Sequence, residues 1–206
     1  MLHGWTLDHT AMLHAFEPVF KERNGWKRIY VDLPGMGQSE PQESIQDTDG
    51  ILGAVLDLVD QIIPNQPFIV CGYSYGGLIV RGLAHSRREW VHGMLLLAPV
   101  VIAKPEKREV GQHQSFQRDQ ALFTKLSPED VSEFELSMVV QGEREWHRFR
   151  EKIWMPLKRA NSSFLNRVRE NGYGFSCDID RNSDPFAHPV LIITGRQDDV
   201  VGFQDA

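Results

Sequence analysis

The sequence predicts an α/β fold, a mostly parallel sheet flanked by helices and interrupted by a helical insertion. Three observations predict it. Of the four short runs that read as strands, the last three are nearly continuous in apolar residues rather than alternating, as strands buried on both faces of a parallel sheet should be. Helical patterns separate these runs, and strand–helix–strand order is the signature of parallel pairing through crossovers. Finally, the run Gly72-Tyr73-Ser74-Tyr75-Gly76-Gly77 stands between an apolar strand and a helix, the kind of junction at which such sheets carry their reactive groups.

Strand runs are bounded by turn residues. Arg28–Asp32 is the first, closed by Leu33-Pro34-Gly35. Phe68–Cys71 precedes Gly72, Gly93–Ala98 precedes Pro99, and Val190–Thr194 precedes Gly195. Between them, residues 10–22 place Met12, Leu13, Phe16, Val19 and Phe20 on one helical stripe, with Pro18 expected to kink it. Residues 49–63 carry Leu52, Val55, Leu56, Val59 and Ile62 at helical spacing and stop at Pro64. A third helix is expected over 76–85.

Residues 104–184 read differently, as a helical unit without a convincing strand, set into a core formed by 1–103 and 185–206. Ser127-Pro128-Glu129-Asp130 is a helix start, with a serine cap, a proline in the first turn and acids at the positive end. A second helix is expected around Trp146, Phe149, Ile153 and Trp154, ended by Pro156, and a third around Phe164, Leu165 and Val168, ended near Gly172.

The 206 residues suffice for one sizeable core. A net charge of −6 argues against a nucleic-acid partner. Two cysteines, Cys71 and Cys177, give neither a disulfide framework nor a zinc spacing, and Cys71 reads as a buried thiol. No apolar stretch is long enough to span a bilayer and no signal peptide is visible, so no membrane role is expected and the cytoplasm is the expected location. Neither cofactor nor metal is expected. The oligomeric state stays open.

The Gly-x-Ser-x-Gly run carries the chemistry. A serine on a one-residue turn between strand and helix is driven into a strained backbone conformation that exposes its hydroxyl, and the flanking glycines avoid clashes. A phosphate-binding turn is the alternative, but the glycine spacing fits neither a dinucleotide fingerprint nor a P-loop. Ser74 is therefore the candidate nucleophile. Two amide N–H groups are needed to hold the developing oxyanion. They are expected from Tyr75, the residue after the nucleophile, and from Trp5 in His3-Gly4-Trp5. Gly195-Arg196-Gln197-Asp198 follows the last strand, where an acid can orient a histidine, and Asp198 is preferred over its neighbour Asp199.

Together with Asp32-Leu33-Pro34-Gly35-Met36-Gly37-Gln38-Ser39, these motifs, in this order, resemble the α/β-hydrolase superfamily over essentially the whole chain. The insertion resembles the cap of its capped members. The resemblance implies Ser74 as nucleophile, Asp198 as acid, Trp5 and Tyr75 as oxyanion donors, and a cap that shapes the pocket for a small-molecule substrate. A serine nucleophile implies ester, thioester, amide or carbon–carbon bond hydrolysis through an acyl-enzyme. Phe134, Trp146 and Trp154 are candidate pocket walls, although helical spacing favours ordinary packing for each.

Two features depart from the family pattern. Only Met1 and Leu2 precede His3, and two residues are not expected to supply the strand that belongs there, leaving two strands facing a gap. The family's histidine follows the acid at some distance, whereas Asp198 is eight residues from Ala206. None of His3, His9, His14, His85, His92, His113, His147 and His188 is expected to replace it. The sequence thus reads as part of a longer enzyme, short at both ends. The alternative is a binding protein that keeps the pocket without the triad histidine.

Overall fold

The computed structural model describes residues 1–181 and 185–206. The chain opens on an extended segment and turns at Asp8, whose carboxylate caps helix α1 (His9–Phe20) by accepting from Thr10 N–H. Asp47 does the same for α2 (Thr48–Ile62), accepting from Gly50 N–H. α2 buries Ile51, Leu52 and Val55, so the expected stripe is the packed face. Strand β1 (Phe68–Tyr73), helix α3 (Tyr75–Ser86) and strand β2 (Val91–Leu97) follow. α3 is buried along nearly its whole length, including Leu78, Ile79, Val80 and Leu83, because it lies against both strands and α2.

The insertion begins with a single 3-10 turn at Pro105–Lys107. Strand β3 (Gln117–Arg118), helices α4 (Gln120–Phe123) and α5 (Pro128–Ser137), and strand β4 (Val140–Gln141) come next. β3 pairs in parallel with β4, a two-residue ladder not expected from the sequence. Polar Gln117, Arg118 and Gln141 hide it from any apolar pattern. Ser127 caps α5 as expected, accepting from Asp130 N–H. Helix α6 (Glu143–Phe149) then passes through a π-helical turn (Arg150–Trp154) into α7 (Met155–Arg159). Pro156 therefore does not end the helix as expected. It sits in the first turn of α7, directly after a widened turn, where a residue without an N–H is tolerated. Helix α8 (Ser162–Gly172), capped by Asn161, and strand β5 (Val190–Ile193) complete the elements.

The main sheet has the order β1-β2-β5, all parallel, with Cys71 beside Leu95 and Leu95 beside Leu191. The expected strand at 28–32 shrinks to one bridge, Val31 to Leu2, because Leu2 offers a single rung. Met1 and Leu2 nonetheless fill the expected gap. Leu2 N–H donates to Cys71 O at 2.8 Å, Tyr73 N–H donates to Leu2 O at 3.0 Å, and Val31 N–H donates to Met1 O at 3.2 Å. The expectation of a fully buried sheet fails at β5, whose four residues are 43–54% exposed. β5 is the sheet edge, and no described element covers it.

Two apolar clusters form. The main one joins β1, β2, α2 and α3 to Phe164, Leu165 and Val168 of α8. The second lies within the insertion and gathers Leu122, Phe123, Phe134, Trp146, Phe149 and Trp154. The expected boundary at 184 falls on residues 182–184, outside the described residues. Among the described residues no helix is long and apolar enough to cross a membrane.

Candidate active site

β1 ends at Tyr73 and α3 begins at Tyr75, so Ser74 alone makes the turn. Its φ of 53° and ψ of −116° lie where a Cβ is unfavourable. The surrounding backbone enforces the strain. Ser74 N–H donates to Leu97 O at 3.0 Å, and Ser74 O accepts from Gly77 N–H at 2.9 Å and Val100 N–H at 3.0 Å. The glycines answer to close backbone approaches. A Cβ on Gly72 would lie 2.3 Å from Gly76 O, and one on Gly76 would lie 2.4 Å from Leu2 O and 2.5 Å from His3 O.

The first loop closes over this turn. Gly4 abuts Ser74, since a Cβ there would lie 3.2 Å from the Ser74 Cβ. His3 is fully buried; its Nδ1 lies 2.8 Å from Gly4 O, and its Nε2 accepts from Leu33 N–H at 3.0 Å. The Trp5 ring meets the Tyr75 ring edge-on, centroids 4.7 Å apart. Tyr75 is buried with its hydroxyl 2.9 Å from Thr48 Oγ1, and burial raises its phenol pKa well above the ordinary value. Tyr75 N–H belongs to the first turn of α3, where no intrahelical acceptor exists. Among the described residues neither the Trp5 nor the Tyr75 amide donates a hydrogen bond.

Asp32 ties the Asp-Leu-Pro-Gly loop to α1. Its carboxylate accepts from His9 N–H at 2.6 Å and Gln38 N–H at 2.9 Å, with the His9 ring at 3.0 Å. Burial alone would raise its pKa. The Gln38 and His9 N–H groups and the His9 ring outweigh that and hold it below 3.8. Gly37 has φ +59°, and a Cβ there would overlap the Asp32 carboxyl at 2.4 Å. Sequence reasoning gave neither the His3 side chain nor Asp32 a role. One partner of each is distant, His9 23 residues from Asp32 and Leu33 30 residues from His3, and no local pattern reports these pairings.

The acid loop separates its two aspartates. Asp198 Oδ1 accepts from Val200 N–H at 3.0 Å and Val201 N–H at 2.9 Å, which fixes the carboxylate by its own turn. Asp199 is engaged elsewhere, with Oδ2 2.9 Å from His113 Nδ1. Burial, and secondarily the Asp198 charge, raises the Tyr73 phenol pKa.

A cavity of about 990 Å³ opens over Ser74. Gly4, Trp5, Tyr73 and Ser74 line it from the core, Leu136, Ile153, Arg169 and Tyr173 from the insertion, and Val200 from the acid loop. Asp198 itself is not in the lining, nor is Tyr75, whose ring lies beneath Trp5. Phe134, Trp146 and Trp154 do not line the cavity either; they fill the insertion's own apolar cluster. Arg108 closes one side, donating to Ile102 O at 2.8 Å, Ala103 O at 3.0 Å and Val200 O at 3.0 Å. None of the eight histidines lines the cavity. His92 and His188 stack on each other with centroids 4.4 Å apart, His92 standing at the start of β2, the sheet end away from Ser74. Among the described residues no group of three or more His, Cys, Asp or Glu could hold a metal ion.

Comparison with known proteins agrees with this architecture. The family described as serine aminopeptidase, S33, matches residues 1–206. A pimeloyl-[acyl-carrier protein] methyl ester esterase of Shewanella woodyi is 30% identical over 109 residues, covering 52% of this chain and 38% of that protein. The chain thus aligns with well under half the length of that relative. An esterase of the same name from Aeromonas hydrophila is 25% identical over 206 residues, covering 98% of this chain and 77% of that protein. The crystal structure of an alpha/beta superfamily hydrolase from Oenococcus oeni PSU-1 superposes with a TM-score of 0.86 at 29% identity, covering 99% of this chain and 75% of that one. The chain belongs to the serine aminopeptidase S33 family and has the α/β-hydrolase fold.

Proposed function

We propose that the chain carries the nucleophile and oxyanion site of an esterase-type serine hydrolase acting on an acyl ester. The observation that carries this reading is Ser74, strained at φ 53° in the lining of a cavity that Trp5 also lines, with the Trp5 and Tyr75 amides donating to no described residue. Ser74 Oγ bonds to the ester carbonyl carbon, whose oxygen takes the negative charge and accepts from Trp5 N–H and Tyr75 N–H. The Ser74 hydroxyl proton passes through a general base to the ester's leaving oxygen as the C–O bond breaks and the alcohol departs; water then adds to the acyl carbon, and collapse of that adduct releases the carboxylic acid and restores the Ser74 hydroxyl. Each oxyanion donor is worth about 2.7–4 kcal/mol of barrier. Asp198 is the acid that orients a histidine, its Oδ1 held by two amides. The esterases among the relatives support an acyl ester as the substrate class. Residues 104–184 act as the cap, supported by the separate apolar cluster between Leu122 and Trp154 and by their share of the cavity wall, with Phe164, Leu165 and Val168 of α8 anchoring them to the main core.

No histidine of the chain lines the cavity. Serine without a general base is a weak nucleophile, and loss of the base in another serine hydrolase costs about 10⁶ in kcat. The same observation favours a second reading, a protein that binds acyl esters and does not turn them over. A fluorophosphonate probe tests the first. In a form of the protein that supplies the histidine oriented by Asp198, stoichiometric labelling is expected on Ser74 and is absent in Ser74→Ala; labelling that survives this substitution removes Ser74 from the reaction. Saturable binding of p-nitrophenyl esters with neither labelling nor acylation supports the second.

A further inference from the structure

The His3-Gly4-Trp5 run enters the reading above through backbone alone, yet its histidine side chain is completely buried. The ring makes two hydrogen bonds of opposite sense. Nδ1 lies 2.8 Å from Gly4 O, which only accepts. Nε2 lies 3.0 Å from Leu33 N, which only donates. One protonation state satisfies both: Nδ1 carries the hydrogen, Nε2 is bare, and the ring is neutral. The surroundings hold this state. Burial lowers the His3 pKa below its ordinary 6.5 and His9 adds to that, while the Gly4 carbonyl, Asp32 and Asp8 pull the other way without prevailing. A second proton on Nε2 would face the Leu33 N–H.

The Gly4 carbonyl gripped by this ring also accepts from Leu7 N–H at 3.2 Å. In a trans peptide the C=O of one residue and the N–H of the next point in opposite directions. Fixing Gly4 O therefore fixes the direction of Trp5 N–H. Gly4 itself touches Ser74, and Trp5 lines the same cavity.

We propose that His3 is a positioning residue, whose Nδ1–H grips the Gly4 carbonyl and thereby aims the Trp5 N–H at the oxyanion position beside Ser74. Its use in catalysis rests on the roles given above to Ser74 and Trp5; the grip itself does not. The ring acts through the Gly4–Trp5 peptide and never touches substrate. A merely structural histidine would instead serve to buttress Leu33.

Two substitutions separate these roles. In His3→Asn the side-chain amide sits where Nδ1 was and keeps a donor for Gly4 O. In His3→Gln the longer side chain reaches the Nε2 position and keeps an acceptor for Leu33 N–H.

NMR on the full 206-residue chain, with ¹⁵N-labelled histidine, is expected to show His3 at pH 7 as the neutral Nδ1–H tautomer. An Nε2–H tautomer or an imidazolium overturns the proposal. The Trp5 amide resonance is expected to keep its position in His3→Asn and to move in His3→Gln. The reverse pattern, or equal displacement in both, assigns His3 to Leu33 or to packing and also overturns it. In the form that supplies the histidine oriented by Asp198, fluorophosphonate labelling is expected to slow by about 10²-fold in His3→Gln, the effect of losing one oxyanion donor, and by only a few-fold in His3→Asn. If that form takes no label at all with His3 in place, the result counts against Ser74 as nucleophile. The two NMR results decide the His3 proposal independently.

Discussion

Replacing Ser74 by glycine should make the protein more stable. Ser74 holds φ 53° and ψ −116°, and its backbone is pinned there by Leu97 O, Gly77 N–H and Val100 N–H. Holding a residue with a Cβ in such a sparsely populated region costs about 1–3 kcal/mol. Glycine removes that cost but orders a more flexible unfolded chain, which offsets roughly 0.5–1 kcal/mol. The hydroxyl donates to no described residue, so no hydrogen bond is lost with it. The net is a gain centred on about 1 kcal/mol within about 0–2.5 kcal/mol, at roughly 2–4 °C in Tm per kcal/mol for a chain of this size. Ser74→Ala is the control. It keeps the Cβ, hence the strain, and should unfold within about 0.5 kcal/mol of wild type. Thermal and urea unfolding of the three proteins measure the difference. If Ser74→Gly unfolds no later than Ser74→Ala, the turn stores no strain and the argument for an enforced, exposed hydroxyl fails.

Gly76→Ala should cost about 1–3 kcal/mol, because the new Cβ lands within 2.5 Å of the Leu2 and His3 carbonyl oxygens and the first loop must move; urea midpoints read this directly. Asp32 ionises below its ordinary 3.8 in the folded protein, so its contribution is fully present above about pH 4 and is lost as the pH falls below that value. Wild type should therefore lose stability more steeply than Asp32→Asn on acidification, and parallel pH profiles would contradict the assignment. Burial raises the Cys71 thiol to about 11 while Cys177 is exposed, so iodoacetamide at pH 8 should modify one cysteine in the native protein and two in urea, counted by mass spectrometry. Arg159→Ala removes the 2.8 Å partner of the buried Asp8 carboxylate, and since the arginine is half exposed the loss should be about 1 kcal/mol, read from the same urea midpoints.

The turn at Ser74 was legible in the sequence because its glycines obey local necessity. Each marks a place where backbone meets backbone, and a spacing of two residues suffices to show it. The helix start at Ser127 was equally legible, since a cap acts on N–H groups within three residues, whereas the Asp47 cap of α2 was not read from the sequence. Three other features were not legible either. The 28–32 run has strand composition but no neighbour long enough to pair with, and ladder formation depends on the partner as much as on the segment. Pro156 looked like a stop because proline cannot continue an α-helical ladder, and the π-helical turn directly before it, which lets the helix resume, has no signature in apolar spacing. The side chains of His3 and Asp32 each join a near partner to a distant one, Gly4 to Leu33 and Gln38 to His9, so their importance appears only once the distant partners are seen beside them.

β5 has a consequence for handling this chain. Four branched aliphatic residues in a row, Val190 to Ile193, present their side chains to water, and among the described residues one backbone margin of the strand has no ladder partner. Such a margin is a template onto which any other extended, oily segment can crystallise, whether a second molecule or a partly unfolded one. Light scattering should rise with protein concentration faster than for a fold of equal charge with a sealed rim. A lysine in place of Leu191 should suppress that rise while leaving the turn at Ser74 untouched.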